Sequence, residues 1–221
     1  MPRGRRRAKK KVSKTWYDII ASDVFPGQWI GETLASSPDL LYGRRVEVSL
    51  RDITGDLMHE KYRLWFAIHR VEGTTAYARF YMEMLNRDFL RSIVQRRSSR
   101  VDVQTEGTTK DGHHVRVFNL IITAVRVRHS QERAIRKRVH EYVASVIPEL
   151  TLEELVRASV LGDRVDVRAE AARLASKIAP IKNSEIRKMV VLKYGEAEPI
   201  LAEVPQAVGG SSPGGGEGEE A

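Results

Sequence analysis

The chain contains no cysteine among its 221 residues. Disulfides, thiolate zinc sites and a cysteine nucleophile are therefore excluded. The sequence also lacks any apolar run near the ~18 residues that cross a bilayer, so we expect no transmembrane helix and no membrane partner. The basic N-terminus is not followed by an apolar segment, and we expect no signal peptide.

Motifs that hold phosphates, dinucleotides or metals are also missing. There is no G-x-x-x-x-G-K-[ST] loop and no G-x-G-x-x-G fingerprint. The six histidines lack metal-ligand spacing. We interpret His113 and His114 as an exposed pair beside a turn, and His69 as a core residue of a strand. The sequence therefore predicts no cofactor, no metal site, no catalytic residues and no small-molecule substrate.

Positive charge is in excess, with 37 Lys and Arg against 29 Asp and Glu, a net charge of +8 and a pI of about 9.8. This balance favours an anionic partner, nucleic acid first and a membrane surface second. Residues 1–14 hold eight bases and no acid, whereas residues 195–221 hold six glutamates and no base. Since such segments bury little, we expect a disordered basic arm at 1–14 and a Gly-rich acidic disordered tail at 195–221.

Residues 15–194 have the pattern of a single α+β domain. Alternating or continuous apolar segments predict strands, and short turns between them favour antiparallel pairing. The predicted strands are 45–51, 62–71, 75–85, 101–105, 113–128 and 185–194. Residues 16–25 are interpreted as an anchoring strand or turn, and residues 28–34 as a loop or short turn. The length of the 113–128 strand predicts a bulge near Asn119.

Apolar residues at helical spacing predict four helices, at 86–97, 131–146, 152–161 and 166–178. Asn86 is a candidate N-cap, and Thr151 with Glu154 forms a candidate capping box. We therefore predict an α+β fold: a mostly antiparallel sheet of about five or six strands, curled towards a barrel and flanked by helices.

The stretch from Asn119 to Val146 carries the densest group of cations on a predicted frame. A strand up to Arg128 is followed by a helix from Gln131, in which one apolar stripe faces the core and the bases occupy the rest of the circumference. Only Glu132 opposes them. Clustered cations on rigid elements suit a phosphate backbone, although a charge run taken alone is more often a solvated helix face.

Aromatic residues close to the basic arm have two interpretations. Trp16, Tyr17 and Trp29 could stack on unpaired bases, as in single-strand binders, but core packing is favoured for all three. No module that reads a base sequence is present, so we expect recognition of the backbone and shape of structured RNA.

An ordered series of segments is similar to one known family, the small-subunit ribosomal proteins of the S-three-Ae type, which occur in archaea and eukaryotes. The matching segments are Lys10–Lys14, Trp16–Asp18, Ile30–Leu34, Gly43–Arg44, Glu47–Asp52, Arg87–Asp88, Val101–Val103, Asp111–Gly112 with Arg116 and Phe118, Ile135–Lys137, Pro180–Ile181 and Arg187–Lys193. They span roughly residues 9–194, and the compact length resembles the archaeal branch.

The resemblance implies a non-enzymatic, cytoplasmic protein that binds ribosomal RNA on the platform of the small ribosomal subunit, near the mRNA exit. Neighbouring small-subunit proteins would be partners, with mRNA and initiation factors as passing contacts. The resemblance does not extend to the acidic tail.

The predicted RNA contacts combine the arm, the end of the 86–97 helix and the stretch around residue 130. They are Arg5, Arg6, Arg7, Lys9, Lys10, Lys11, Lys14, Arg96, Arg97, Arg100, Arg126, Arg128, Arg133, Arg136, Lys137 and Arg138. Three alternatives stay open at this point: a nucleic-acid-processing enzyme with a basic groove, another basic RNA-binding module outside the ribosome, and a basic interaction module for an acidic protein or a membrane.

Overall fold

The computed structural model describes residues 13–162 and 166–195. The predicted basic arm, except for Ser13 and Lys14, and the predicted acidic tail, except for Gly195, lie outside the described residues. None of the helices within the described ranges combines the length and the apolar character that a membrane span requires.

The described residues form an α+β structure with eight strands and five helices. The strands are β1 (Thr15–Ala21), β2 (Trp29–Ala35), β3 (Arg45–Ser49), β4 (Tyr62–Glu72), β5 (Thr75–Leu85), β6 (Arg100–Thr108), β7 (His114–Thr123) and β8 (Ile181–Lys193). The helices are α1 (Leu50–Thr54), α2 (Arg87–Ile93), α3 (His129–Val146), α4 (Leu152–Val160) and α5 (Val167–Ser176).

All strands belong to one sheet, in the order β2-β1-β5-β8-β7-β6, with β4 also pairing to β5 and β3 pairing to β4. Every pairing is antiparallel except that of β1 with β5, which is parallel. The predicted mostly antiparallel α+β class is therefore confirmed. The pairing does not close the sheet into a barrel, and the strands exceed the five or six expected.

The interpretation of residues 28–34 as a loop was wrong, because Trp29–Ala35 is strand β2. Its pairing with β1 shifts register between Ile19 and Ile20, opposite Gly31 and Trp29. This irregularity interrupts the alternation of apolar residues from which strands are recognised, so the sequence of β2 resembles a loop.

The predicted strand from His113 to Arg128 was too long, since β7 ends at Thr123 and residues 124–128 form a connection to α3. Backbone hydrogen bonding changes there, because the N–H of Ala124 donates to the carbonyl of Pro180 at 2.8 Å. The bulge predicted near Asn119 is confirmed by a register shift between Phe118 and Asn119 in the pairing with β8.

Helix starts follow the predicted capping chemistry. The side chain of Asn86 accepts from the N–H of Asp88 at 3.2 Å, and the hydroxyl of Thr151 accepts from the N–H of Glu154 at 3.2 Å. The five-residue helix α1 was missed, because its sequence continues the alternation of β3.

The apolar core lies between the sheet and the helices. Helix α3 buries Ile135, Val139, Val143 and Val146, the stripe expected from their spacing. This stripe packs against β6. Next to it, Nδ1 of His140 on α3 lies 3.0 Å from the hydroxyl of Thr105 on β6. Helix α5 packs on β8 and on α3, so the helical layer covers this half of the sheet.

The described chain ends against the β6–β7 turn. The N–H of Gly195 donates to Nδ1 of His113 at 3.0 Å, and the ring of His113 packs edge-on against Tyr194. A Cβ at position 195 would lie 2.6 Å from the carbonyl oxygen of Asp111, so only glycine fits this backbone path. His113 is partly buried by these contacts, which corrects its interpretation as an exposed turn residue.

A buried carboxyl group lies in the core, between β5 and α4. Glu83 is 0% exposed, and burial raises its pKa to about 8. The hydroxyl of Ser159 lies 2.7 Å from Glu83 Oε2 and 2.7 Å from the carbonyl of Val156. Because a carbonyl only accepts, the single hydroxyl proton of Ser159 fits donation to Val156, and a protonated Glu83 then donates to Ser159.

We predict that Glu83→Gln removes a pH dependence of stability. Glu83 binds a proton more tightly in the folded chain than in the unfolded chain. The contribution of this proton to the free energy of unfolding is therefore full below pH ~4.5 and is lost as the pH rises through 8. The free energy of unfolding of Glu83→Gln, relative to the unmodified protein, should rise by about 3 kcal/mol from pH 5 to pH 8. Urea unfolding at both pH values measures this, and a constant difference would contradict a neutral Glu83.

Candidate nucleic-acid interface

Two arginine-bearing connections are joined by Ser99 and Thr123. The N–H of Ser99 donates to the hydroxyl of Thr123 at 2.9 Å, and the N–H of Thr123 donates to the carbonyl of Ser99 at 3.0 Å. The hydroxyl of Ser99 also accepts from the N–H of Val127 at 3.2 Å. These bonds hold the α2–β6 connection beside the β7–α3 connection.

A third connection meets them at the same end of the sheet. The first residue of β8, Ile181, pairs with Thr123, and the side chain of Lys182 hydrogen-bonds the side chain of Gln95. The α2–β6, β7–α3 and α5–β8 connections thus lie together. We call their exposed bases, Arg96, Arg97, Arg126, Arg128 and Lys182, the basic end.

The arginines of the basic end are not neutralised by the protein itself. Among residues 13–162 and 166–195, no carboxylate lies within ion-pairing distance of Arg96, Arg97, Arg126 or Arg128. Arg97 adopts a left-handed backbone with φ of 66°, which costs about 1–2 kcal/mol for a residue with a Cβ. Arg100 differs, because its guanidinium binds both oxygens of Asp102, at 2.9 and 3.1 Å.

The structure corrects the predicted placement of Arg126 and Arg128. Both lie on the β7–α3 connection and not on a strand, because β7 ends at Thr123. The connection is nevertheless held in place at Ala124, Val127 and Arg128. The N–H of Arg128 donates to the side-chain oxygen of Gln131 at 3.0 Å. A fixed connection therefore presents these cations.

The predicted cations of α3 divide into two free and two paired side chains. Arg133 and Arg138 are exposed and without a carboxylate partner in the described part of the chain. Arg136 lies 3.6 Å from Glu132, and Lys137 lies 3.9 Å from Glu141. The expectation that only Glu132 opposes these bases was therefore wrong, since Glu141 does so one turn later.

Lys14 is exposed but far along the sheet from the basic end. It precedes β1, which runs parallel to β5 and pairs near the start of β5 at Asp18 and Thr75. The α2–β6 connection follows the opposite end of β5. The remaining predicted arm contacts lie outside the described residues: Arg5, Arg6, Arg7, Lys9, Lys10 and Lys11.

The core-packing interpretation was wrong for two of the three aromatic residues. Trp16 is 61% and Trp29 56% exposed, while Tyr17 is buried as expected. The two indoles belong to the β1–β2 hairpin at the margin of the sheet. No group of three or more metal-ligating side chains occurs within the described ranges.

Comparison with known proteins identifies the family of this sequence. The model of the Ribosomal S3Ae family matches residues 3–195. The chain belongs to this family.

Several archaeal members of the family are similar over most of their length. Small ribosomal subunit protein eS1 of Staphylothermus marinus is 42% identical over 84% of this chain and 86% of its own. The protein of the same name from Methanopyrus kandleri is 38% identical over 83% and 88%, and that from Methanocaldococcus jannaschii is 36% identical over 89% of both chains.

We predict that Ser99→Ala weakens RNA binding by this S3Ae-family protein without removing any charge. The substitution leaves the N–H of Val127 without its acceptor, which should lower the free energy of unfolding by about 1 kcal/mol. Since the arginine connections are then less well held, affinity for small-subunit rRNA should fall about fivefold. Urea unfolding and filter binding measure the two effects.

Ser98→Ala is the matched control, because the hydroxyl of Ser98 donates only to Gln95 in the same connection, at 2.6 Å. Equal RNA affinities of the two variants would show that Ser99 does not position the arginines.

Proposed function

We propose that this chain is a structural constituent of the small ribosomal subunit and binds ribosomal RNA through the basic end. Membership of the Ribosomal S3Ae family supports the ribosomal assignment, as do the relatives named small ribosomal subunit protein eS1. The observation that carries the RNA contact is the group of four exposed arginines without carboxylate partners in the described ranges, held by Ser99 and Thr123.

The proposed mechanism of binding is electrostatic and geometric. Guanidinium groups bind phosphate oxygens in pairs of parallel hydrogen bonds, and each neutralised phosphate releases condensed counterions. Because the connections are already hydrogen-bonded, little backbone freedom is lost when RNA is bound. Arg133 and Arg138 of α3 extend the same surface, while the arm with Lys14 contacts RNA at a separate point.

The finer assignment follows the family resemblance. We propose a position on the platform near the mRNA exit, contacts with neighbouring small-subunit proteins, and passing contacts with mRNA and initiation factors. The role is structural and cytoplasmic, and residues 15–194 act as one RNA-binding body. The exposed arginines support the binding of RNA, and the family resemblance alone supports the position on the platform.

Fractionation of ribosomal particles tests the ribosomal assignment. In sucrose gradients of the source cells, the protein should co-sediment with small subunits and with complete ribosomes, and should leave small subunits only in high salt. A protein that remained in the soluble pool at low salt would contradict the assignment.

We predict that Arg126→Gln with Arg128→Gln lowers affinity for small-subunit rRNA by at least tenfold, since two unpaired cations are lost. The slope of log affinity against log salt should decrease by roughly two, about one unit for each phosphate contact. Filter binding across a salt series measures both values.

The control is Arg51→Gln with Arg173→Gln, which removes the same charge. Arg51 lies 3.3 Å from Glu60, and Arg173 is paired with Glu170. An equal loss of affinity in this control would mean that net charge, and not the basic end, determines binding.

A further inference from the structure

Besides the basic end, the protein has another surface with unpaired arginines. It lies on the half of the sheet formed by β3, β4 and β5. Leu64, Phe66 and Ile68 of β4 point into the core, so the side chains between them point outward. The same alternation holds in β5 from Thr75 to Tyr81, where a register shift interrupts it. We call this outward side the open face, because α3 and α5 pack on β6 and β8 instead.

Arg45 and Arg79 lie in one row across three strands of the open face. Arg45 pairs in register with Ala67, and Ala67 pairs with Arg79. Since neighbouring strands are ~4.8 Å apart, the two arginine backbones are separated by roughly 10 Å, with only a methyl group between them. The small side chain of Ala67 therefore lies between the two arginine positions of this row.

Each of these arginines stacks on a tyrosine and has no carboxylate partner among residues 13–162 and 166–195. The guanidinium carbon of Arg45 lies 3.9 Å from the ring centre of Tyr81, and that of Arg79 lies 3.4 Å from the ring centre of Tyr194. The hydroxyl of Tyr194 donates to the carbonyl of Phe80 at 2.8 Å, which fixes its ring. A stacked guanidinium keeps its N–H edge available for an anion.

The two other arginines of the open face are already paired with acids. Arg63 binds Glu47, and Arg70 binds Glu72. Asp18 and Glu32 face each other on the β1–β2 hairpin, which makes that hairpin unfavourable for a phosphate. Among the arginines of the open face, Arg45 and Arg79 are therefore the ones left for an anionic ligand.

Two polar atoms near the row are buried without a hydrogen-bond partner. They are Nε of Arg79 and Nδ1 of His69, which lies two residues after Ala67 on β4. Burial, together with Arg79 and Arg70, lowers the pKa of His69, so its ring is neutral at pH 7. Unpartnered buried groups of this kind require an explanation, and a polar ligand at the row would supply the missing partner.

Aromatic rings flank the row on both sides along the strands. Trp65 precedes Ala67 by two residues on β4, and Tyr81 follows Arg79 by two on the antiparallel β5, so both lie on one side. Tyr77 lies on the other side. Trp65 and Tyr77 are partly exposed. The guanidinium carbon of Arg70 lies 6.0 Å from the ring centre of Tyr77, so the opposite face of that ring is the one left for stacking.

We propose that the open face binds an unpaired segment of RNA, with a phosphate between Arg45 and Arg79 and bases stacked on Trp65 and Tyr77. Unpaired guanidinium groups interleaved with aromatic rings are the combination used by single-strand binders. The inference rests on the proposed RNA-binding function but uses a surface separate from the basic end.

Intrinsic fluorescence tests the proposal, because all three tryptophans of the chain point outward on this side of the sheet. Trp16 and Trp29 belong to the β1–β2 hairpin, and Ile20, which pairs with Trp29, is in register with Tyr77 of the open face. Titration of the full chain with an eight-nucleotide oligouridylate should quench the fluorescence and saturate. Arg45→Gln with Arg79→Gln should weaken this binding at least tenfold.

Two further variants separate this proposal from the proposed function. Arg126→Gln with Arg128→Gln should keep the oligouridylate affinity within about threefold while losing affinity for structured rRNA. Arg51→Gln with Arg173→Gln should change neither by more than about threefold. If the double variant at the row does not fold, as judged by circular dichroism, Arg45→Gln alone should still weaken binding, since Arg45 is exposed.

Unchanged quenching in the folded row variant, or no quenching in the unmodified chain, would overturn the proposal. Photocrosslinking from position 67 in intact small subunits provides an independent check and should yield RNA. Crosslinks to protein alone would identify the row as a protein-docking surface instead.

Discussion

Repulsion between like charges is the constraint that this structure has to meet at the basic end. Arg96 and Arg97 lie on a connection that is hydrogen-bonded to the connection bearing Arg126 and Arg128, and none of the four pairs with a carboxylate of the described chain. Hydrogen bonds between Ser99 and Thr123 hold the two connections together against this repulsion. Both residues are buried, Ser99 at 8% and Thr123 at 0% exposure. Such bonds are little screened by solvent, whereas repulsion between exposed cations is weakened by salt. The arrangement is therefore stable without RNA and gains further when phosphate is bound.

The two halves of the sheet differ in what lies on their surfaces. Around β6 and β8 the sheet is covered by α3 and α5. Around β3, β4 and β5 one side is uncovered, and side chains there are arginine and aromatic more often than aliphatic. The other side of β4 and β5 contributes large buried side chains such as Tyr62, Phe66 and Phe80, so this half adds to the core and still carries recognition groups.

Local sequence patterns predicted the elements whose determinants are local. The spacing of Ile135, Val139 and Val143 identified α3, and the caps at Asn86 and Thr151 located two helix starts. Strand β2 was missed because a register shift opposite Gly31 disturbs its alternation. Alternation predicts which residues share a side of a strand, but not which side a helix will cover.

The candidate sites depend on contacts that are distant in sequence. Ser99 and Val127 are neighbours only because β6 and β7 pair, so the meeting of two arginine groups was not predictable from spacing. The same holds for Arg45 and Arg79, which require the register of three strands. By contrast, the density of cations around residue 130 identified one surface directly from the sequence. The exposure of Trp16 and Trp29 was not predictable in this way, because an apolar residue of a strand can lie on either side of the sheet.

The tight fit of Gly195 against the β6–β7 turn has a consequence for the residue immediately before it. Tyr194 supplies the ring on which Arg79 stacks, and its hydroxyl is bonded to the carbonyl of Phe80. The position of the Arg79 guanidinium on β5 therefore depends on a turn between two other strands. A substitution at Asp111 or Gly112 that moved this turn would reach the open face through the ring of Tyr194.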